Sequence, residues 1–187
     1  MQILVKQTQS SYIINKSKFL GFGYCVQNLE QIKEILISIK DKYSDASHIC
    51  YAYVLGGNQE IQKYDDNGEP HHTAGYPILE LLIKQKISNC LIIVVRYFGG
   101  IKLGTGNLMR SYVIAAQQLI ENNLSKYFET KTIKLKFSYS LYKQVDHFVN
   151  TNKIKIINKL FNIDAVILTI EITSKLTIPE WINSLVI

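Results

Sequence analysis

The sequence predicts a two-domain α+β protein, with an α/β domain over residues 1–127 and a smaller βαββα domain over residues 128–187. Two observations carry this. An apolar run at residues 90–95, the length of a strand buried on both faces, leads into a glycine-rich turn and then a helical pattern. From residue 128 the pattern changes to strict apolar/polar alternation, the period of a half-buried strand.

In the first domain, residues 3–6 and 12–14 read as short strands and residues 19–26 as a third. Asn28 with Gln31 three residues later makes a capping-box pattern. Ile32, Ile35, Leu36, Ile39 and Tyr43 then mark one face of a helix. Residues 48–55 read as a strand closed by Gly56-Gly57, in which His48 is expected to be a hydrogen-bonded structural histidine rather than a catalyst. Residues 64–77 hold Asp65, Asp66, Asn67, Gly68, Glu69, Pro70, His71, His72, Thr73 and Gly75, with Asn-Gly and Glu-Pro as turn signals. Pro77 suits the start of a helix running through Ile83. Thr73 is its candidate cap, with free N–H groups left facing outwards as an anion site. The strand at 90–97, the glycine turn and a helix to about residue 122 complete this domain.

In the second domain Ile133, Leu135, Phe137, Tyr139 and Leu141 face one side, and Lys134, Lys136, Ser138 and Ser140 the other. A helix over 142–150 and strands over 154–160 and 165–173 follow. Thr177 with Glu180 reads as the capping box of a last helix, with Pro179 inside its first turn. The sum is an antiparallel sheet covered by two helices, similar to a ferredoxin-like domain whose final strand is missing or very short.

Apolar residues are 47% of the chain and charged residues 19%, an ordinary globular balance. No apolar run reaches membrane-spanning length, and the N-terminus lacks a signal-peptide apolar core, so no membrane partner and a cytoplasmic location are expected. Cys25, Cys50 and Cys90 sit singly in apolar strand-like runs, as reduced core residues rather than redox or zinc groups. The net charge of +6 favours polyanionic partners. It is spread over both domains, and a Lys-, Ile- and Asn-rich composition of AT-rich genomes gives a similar excess.

The sharpest chemistry surrounds the glycine turn. It holds Gly99, Gly100, Gly104 and Gly106, whose backbone N–H groups can approach a ligand closely. Of 21 basic residues only Arg96 and Arg110 are arginine, and both flank this turn, with Lys102 inside it. Arginine in a lysine-using chain suggests a bidentate grip on phosphate or carboxylate, or stacking on a ring. The alternative is structural: Arg96 or Arg110 pairs with Asp66 or Glu69. Arg110 leans away from that, since it falls opposite the Leu108/Tyr112/Leu119 face.

The dinucleotide fingerprint fails, because Met109 stands where its third glycine belongs, and no Gly-Lys-Ser/Thr of a phosphate-binding loop is present. Anion or backbone-phosphate binding stays open. No metal is expected from Asp65, Asp66, Glu69, His71 and His72: the acids lack calcium-loop spacing, and adjacent histidines in an extended segment point apart. Thr73 with His71 or His72 could form a nucleophile and base, with no third group placed to orient the base. Lys134 and Lys136, about 7 Å apart on one strand face, match the spacing of two phosphates; a solvated, edge-blunting lysine face explains them equally.

At these residues the sequence resembles the IMPACT family. The motifs are Asp66, Gly68, Glu69, Pro70, Thr73, Ala74, Gly75 and Pro77, then Arg96 to Gly100, Lys102, Leu103, Gly104, Gly106, Leu108, Arg110 and Tyr112, with His48, Tyr51 and Ala52 as a shorter one. The resemblance implies a ribosomal-protein domain-2-like N-terminal domain and a ferredoxin-like C-terminal domain similar to domain V of elongation factor G. It also implies a regulatory function. Eukaryotic members modulate translation through the amino-acid-starvation kinase pathway, and nucleic-acid or ribosome binding is expected of bacterial ones. Asn67 departs from the family's usual second Asp, His71-His72 from a small pair, Asn107 from a glycine and Ser111 from an alanine.

The expectation is thus a cytosolic regulatory protein that binds RNA or the ribosome, without cofactor and leaning non-enzymatic. Two alternatives are a small hydrolase or phosphate-ester enzyme using residues 65–77, and a protein-binding adaptor in translation control.

Overall fold

The computed structural model describes residues 1–128 and 130–187, which form two compact units, Met1–Tyr127 and Phe128–Ile187. The first begins with β1 (Gln2–Leu4), β2 (Thr8–Ile14), β3 (Ser17–Cys25), α1 (Leu29–Lys42) and β4 (His48–Leu55). It continues with β5 (Ile61–Asp65), α2 (Gly75–Lys84), β6 (Cys90–Tyr97), α3 (Thr105–Ile120) and β7 (Leu124–Lys126).

Five strands make one antiparallel sheet in the order β2-β3-β6-β4-β5. The apolar run at 90–95 is its middle strand, and the two-residue period divides it between two cores. Cys90, Ile92 and Val94 join the core under α2 and α3, with Leu82, Tyr112 and Leu119. Leu91, Ile93 and Val95 join the core under α1, with Ile32 and Ile39. Because β6 lies antiparallel between β3 and β4, those two run parallel, the split βαβ arrangement that crossover helix α1 requires. The strand buried on both faces therefore belongs to an antiparallel sheet whose helices cover both sides.

Helix α1 starts as its sequence predicts: Asn28 Oδ1 accepts from the Gln31 N–H at 2.9 Å. Gln31 Oε1 reaches back to the N–H of Gln27, one residue before the cap. Two strands escape the sequence patterns. β5 is an exposed edge strand without alternation, and β7 has three residues paired with β1.

The second unit holds β8 (Thr130–Phe137), α4 (Tyr142–Thr151), β9 (Lys155–Phe161), β10 (Val166–Thr173) and α5 (Glu180–Asn183). Its sheet order is β8-β10-β9, all antiparallel, and Leu135, Val145, Val149, Leu168, Ile170 and Ile182 share its core. The alternation in β8 stops at Phe137; residues 139–141 turn into a 3₁₀ helix, so Tyr139 and Leu141 do not extend the strand face. The Thr177/Glu180 box is not formed either. Pro179 is the N-cap of α5, without a side-chain cap, and the helix has only four residues. A very short final strand exists as one bridge, Leu135 with Val186.

Candidate functional site

Residues 66–69 make a tight turn that lifts a carboxylate into the core. Asn67 and Gly68 both have positive φ, 42° and 82°, and the Glu69 N–H donates to the Asp66 carbonyl at 2.9 Å. That is the two-residue hairpin geometry favoured by Asn-Gly, and glycine suits its second position because a Cβ penalises φ > 0 there. Asn67 ties the turn to β4: its Oδ1 accepts from the Ile49 N–H and its carbonyl oxygen from His48 Nδ1, both at 2.8 Å. An aspartate would accept the same Ile49 bond, so the departure at 67 is conservative for this strut.

Glu69 ends buried, with 4% of its side chain exposed. Its Oε1 accepts from Arg96 Nη1 at 2.6 Å and from the Tyr112 hydroxyl at 2.7 Å. Burial first, then the nearby Cys50 and Glu69, pushes the Tyr112 hydroxyl far up, so it stays a donor. Cys50, whose thiol burial likewise raises, lies 3.4 Å from that hydroxyl and 3.1 Å from the Asp66 carbonyl. The Arg96 guanidinium sits between the Phe19 and Phe98 rings at 5.4 and 5.5 Å, and its Nε has no hydrogen-bond partner among the described residues. A buried charge pair of this kind is costly to break, because either partner alone is an uncompensated charge.

This corrects three sequence expectations. Arg96 is 5% exposed, with Nη1 donating to Glu69 Oε1 and Nη2 to Ser17 Oγ at 3.5 Å, so it is not a free grip for a nucleic-acid phosphate. Gly99 packs its backbone onto Lys16 and Ser17, where a Cβ would collide, and its N–H donates to Ser17 Oγ at 3.2 Å; it offers nothing to a ligand. Thr73 does not cap α2. Its hydroxyl donates to the Pro70 carbonyl at 2.6 Å, the N-cap is Ala74, and the helix N-terminus is filled by Asp66. Asp66 Oδ1 accepts from the N–H groups of Ala74, Gly75 and Tyr76 at 3.1, 2.8 and 3.4 Å, leaving no room for an external anion. Gly75 is required there, since a Cβ would meet the Asp65 carbonyl oxygen at 2.5 Å.

The histidines also differ from expectation. His72 has φ 61° rather than an extended backbone, which brings its ring to 3.7 Å from that of His71 and 4.3 Å from that of Tyr76. Its Nε2 pairs with the Tyr64 hydroxyl at 3.0 Å, so the Thr73–histidine nucleophile pair is not assembled. Among the described residues, no group of three or more His, Cys, Asp or Glu is placed to hold a metal.

The other candidates stay open to solvent. At the start of α3, Gly100 and Gly104 have φ of 83° and 75°, and a Cβ on Gly106 would meet nothing. Gly104 is the N-cap, with neither a side-chain cap nor an acid in the first turn. Lys102 and Arg110 are exposed and carry no ion pair among the described residues. Phe98 and Ile101, in the same loop as Lys102, are 48% and 46% exposed. Lys134 and Lys136 are exposed on β8 of the second unit, with the C-terminal segment bonded to their backbones.

Between the 66–69 turn and the start of α3 lies a cavity of about 440 Å³, lined by His48, Glu69, Arg96, Lys102 and Thr105 together with Phe98, Leu103 and Leu108. Sequence patterns mark Tyr112 and Phe98 as motif residues without a role in this assembly, and miss Ser17. Tyr112 carried a signal: a phenol inside an otherwise apolar helix stripe calls for a buried partner.

Residues 15–120 match the Impact N-terminal domain. The chain belongs to the IMPACT family. It is similar over 79% of its length to an IMPACT family member of Haemophilus influenzae, at 33% identity and over 73% of that protein. It is 45% identical over 100 residues to the IMPACT family member YvyE of Bacillus subtilis, and 38% identical over 101 residues to YigZ of Escherichia coli. Those two alignments span 46% and 50% of the relatives' own lengths. Across 91% of this IMPACT-family chain the fold matches 84% of a crystal structure described as that of a hypothetical protein, with a TM-score of 0.66 and 27% identity. No helix among the described residues is long and apolar enough to cross a membrane.

Proposed function

We propose that this protein is a cytoplasmic regulator of translation that binds RNA, on the ribosome or free, through the exposed start of α3. One observation carries the reading: of the two helix N-termini beside the motif residues, α2 is filled by Asp66, while α3 has neither a side-chain cap nor a first-turn acid. It is flanked in sequence by Lys102 and Arg110, both exposed and without an ion pair among the described residues. An uncapped helix start presents N–H groups and the positive end of the helix dipole, which is what a phosphate accepts. Lys102 and Arg110 supply the cations, and exposed Phe98 supplies a face on which an unpaired base stacks. The +6 net charge and the family's regulatory members support the same class of partner. Lys134 and Lys136 are a separate candidate phosphate contact on the second unit, for which a ferredoxin-like fold is the reading that fits βαββα.

Filter binding to single-stranded RNA across a salt series tests this. Affinity is expected to fall steeply with salt, and Lys102→Gln to shallow the slope by about one unit. Arg110→Lys keeps the charge but loses the fork, and is expected to weaken binding several-fold. Absence of binding at low salt, or an unchanged slope and affinity in both variants, would refute the proposal.

A further inference from the structure

The cavity between the 66–69 turn and α3 has two chemically opposite ends. At the inner end, beside the Arg96 guanidinium, are two acceptors without a hydrogen-bond donor among the described residues. Glu69 has both hydrogen bonds on Oε1, and its Oε2 has no hydrogen-bond partner among the described residues. That oxygen belongs to a side chain 4% exposed, and it lies 3.9 Å from His48 Nε2, beyond hydrogen-bond distance. The Asn67 carbonyl facing His48 Nδ1 only accepts, so Nδ1 is the donor there, and in the neutral ring Nε2 is then the free acceptor. At the outer end are donors without acceptors among the described residues. The N–H groups of Thr105 and Gly106 lie in the unfilled first turn of α3, and Lys102 stands beside them. Phe98, Leu103 and Leu108 form apolar wall between the ends.

A ligand for this cavity needs an N–H-bearing end, a flat apolar body and an anionic end. The geometry points to a nucleoside monophosphate unit with an amino-bearing base, as a free nucleotide or as an unpaired nucleotide of RNA. The exocyclic amino group donates to Glu69 Oε2 and His48 Nε2, the base packs on Phe98 and the leucines, and the phosphate lies on the α3 N-terminus and Lys102. Uracil is disfavoured, since its single ring N–H is flanked by two carbonyl oxygens that a carboxylate oxygen repels. The volume of about 440 Å³ falls within the range of small-ligand sites, roughly 300–1,000 Å³. The RNA-bound form of this inference rests on the RNA reading above; the free-nucleotide form does not.

The test uses the full ¹⁵N-labelled chain and follows the histidine ring nitrogens by NMR during titration with AMP, UMP and ribose 5-phosphate, then with a short oligoadenylate. AMP is expected to move the His48 ring signal and leave that of His147, in the second unit, in place. UMP and ribose 5-phosphate are expected to bind about tenfold more weakly, the effect of leaving the acceptors at the inner end of the cavity unpaired. His48→Asn keeps a donor for the Asn67 carbonyl and removes the Nε2 acceptor, so AMP affinity should fall about tenfold. No movement of His48 with AMP in the wild-type protein would overturn the site, as would equal binding of ribose 5-phosphate. RNA retention on filters with His48 unmoved by any ligand overturns the cavity and leaves the RNA reading standing. AMP binding without RNA retention does the reverse.

Discussion

The centre of the first unit is a single buried carboxylate. Glu69 accepts from Arg96 of β6 and from Tyr112 of α3, so one residue ties its own turn to two elements. Sequence could propose an Arg–carboxylate pair but not choose among four pairings, since the partners lie 27 residues apart and no local pattern links them. The choice comes from sheet register, which sets His48 opposite Arg96 on neighbouring strands. Glu69→Gln leaves the Arg96 charge buried without a counter-charge, and is expected to destabilise the first unit by about 3–5 kcal/mol in urea unfolding. A loss under 1 kcal/mol would mean that Arg96 finds water instead, and that the pair is not structural.

At the scale of elements, the periodic segments were readable and the capping was not. Helices α1, α3 and α4 follow 3.6-residue patterns strong enough to locate, β10 alternates, and β4 and β6 stand out as continuous apolar runs. β5 and β7 were invisible because an exposed edge strand and a three-residue strand need no alternation. The α2 cap was misread for another reason: its acceptor, Asp66, lies eight residues before Ala74 and arrives through the tight turn, outside the local capping pattern. Asp66→Ala should therefore cost about 2 kcal/mol, the upper range for a cap, whereas Asp66→Asn keeps the Oδ1 acceptor and should cost less. Equal losses would assign the effect to charge rather than to the hydrogen bonds. In the second unit, the hydrogen bond from Thr130 and then the pairing with Lys155 hold the Glu171 carboxyl below its ordinary range. A lowered folded-state value contributes stability above the unfolded value, and this is lost as pH falls through the folded one. Wild type should exceed Glu171→Gln in stability at neutral pH, with the gap closing in acid and shrinking in high salt. A gap that persists in acid would contradict the assignment.

For the whole molecule, two units carry exposed cations, in the first beside an open helix start and in the second along an edge strand. The first was partly legible: the glycine turn and Arg110 stand where the sequence put them, while Arg96, Gly99 and Thr73 turned inward because burial and backbone packing are tertiary properties. What remains for the proposed RNA contact is Lys102, Arg110, Phe98 and the first amides of α3. Co-sedimentation of the purified protein with ribosomes across a salt series tests the central claim most directly. The account predicts that the protein pellets with ribosomes at low salt, is released steeply as salt rises, and is released at lower salt in the Lys102→Gln/Arg110→Gln double variant. Protein that stays in the supernatant at the lowest salt, or a double variant with the wild-type release profile, would contradict it.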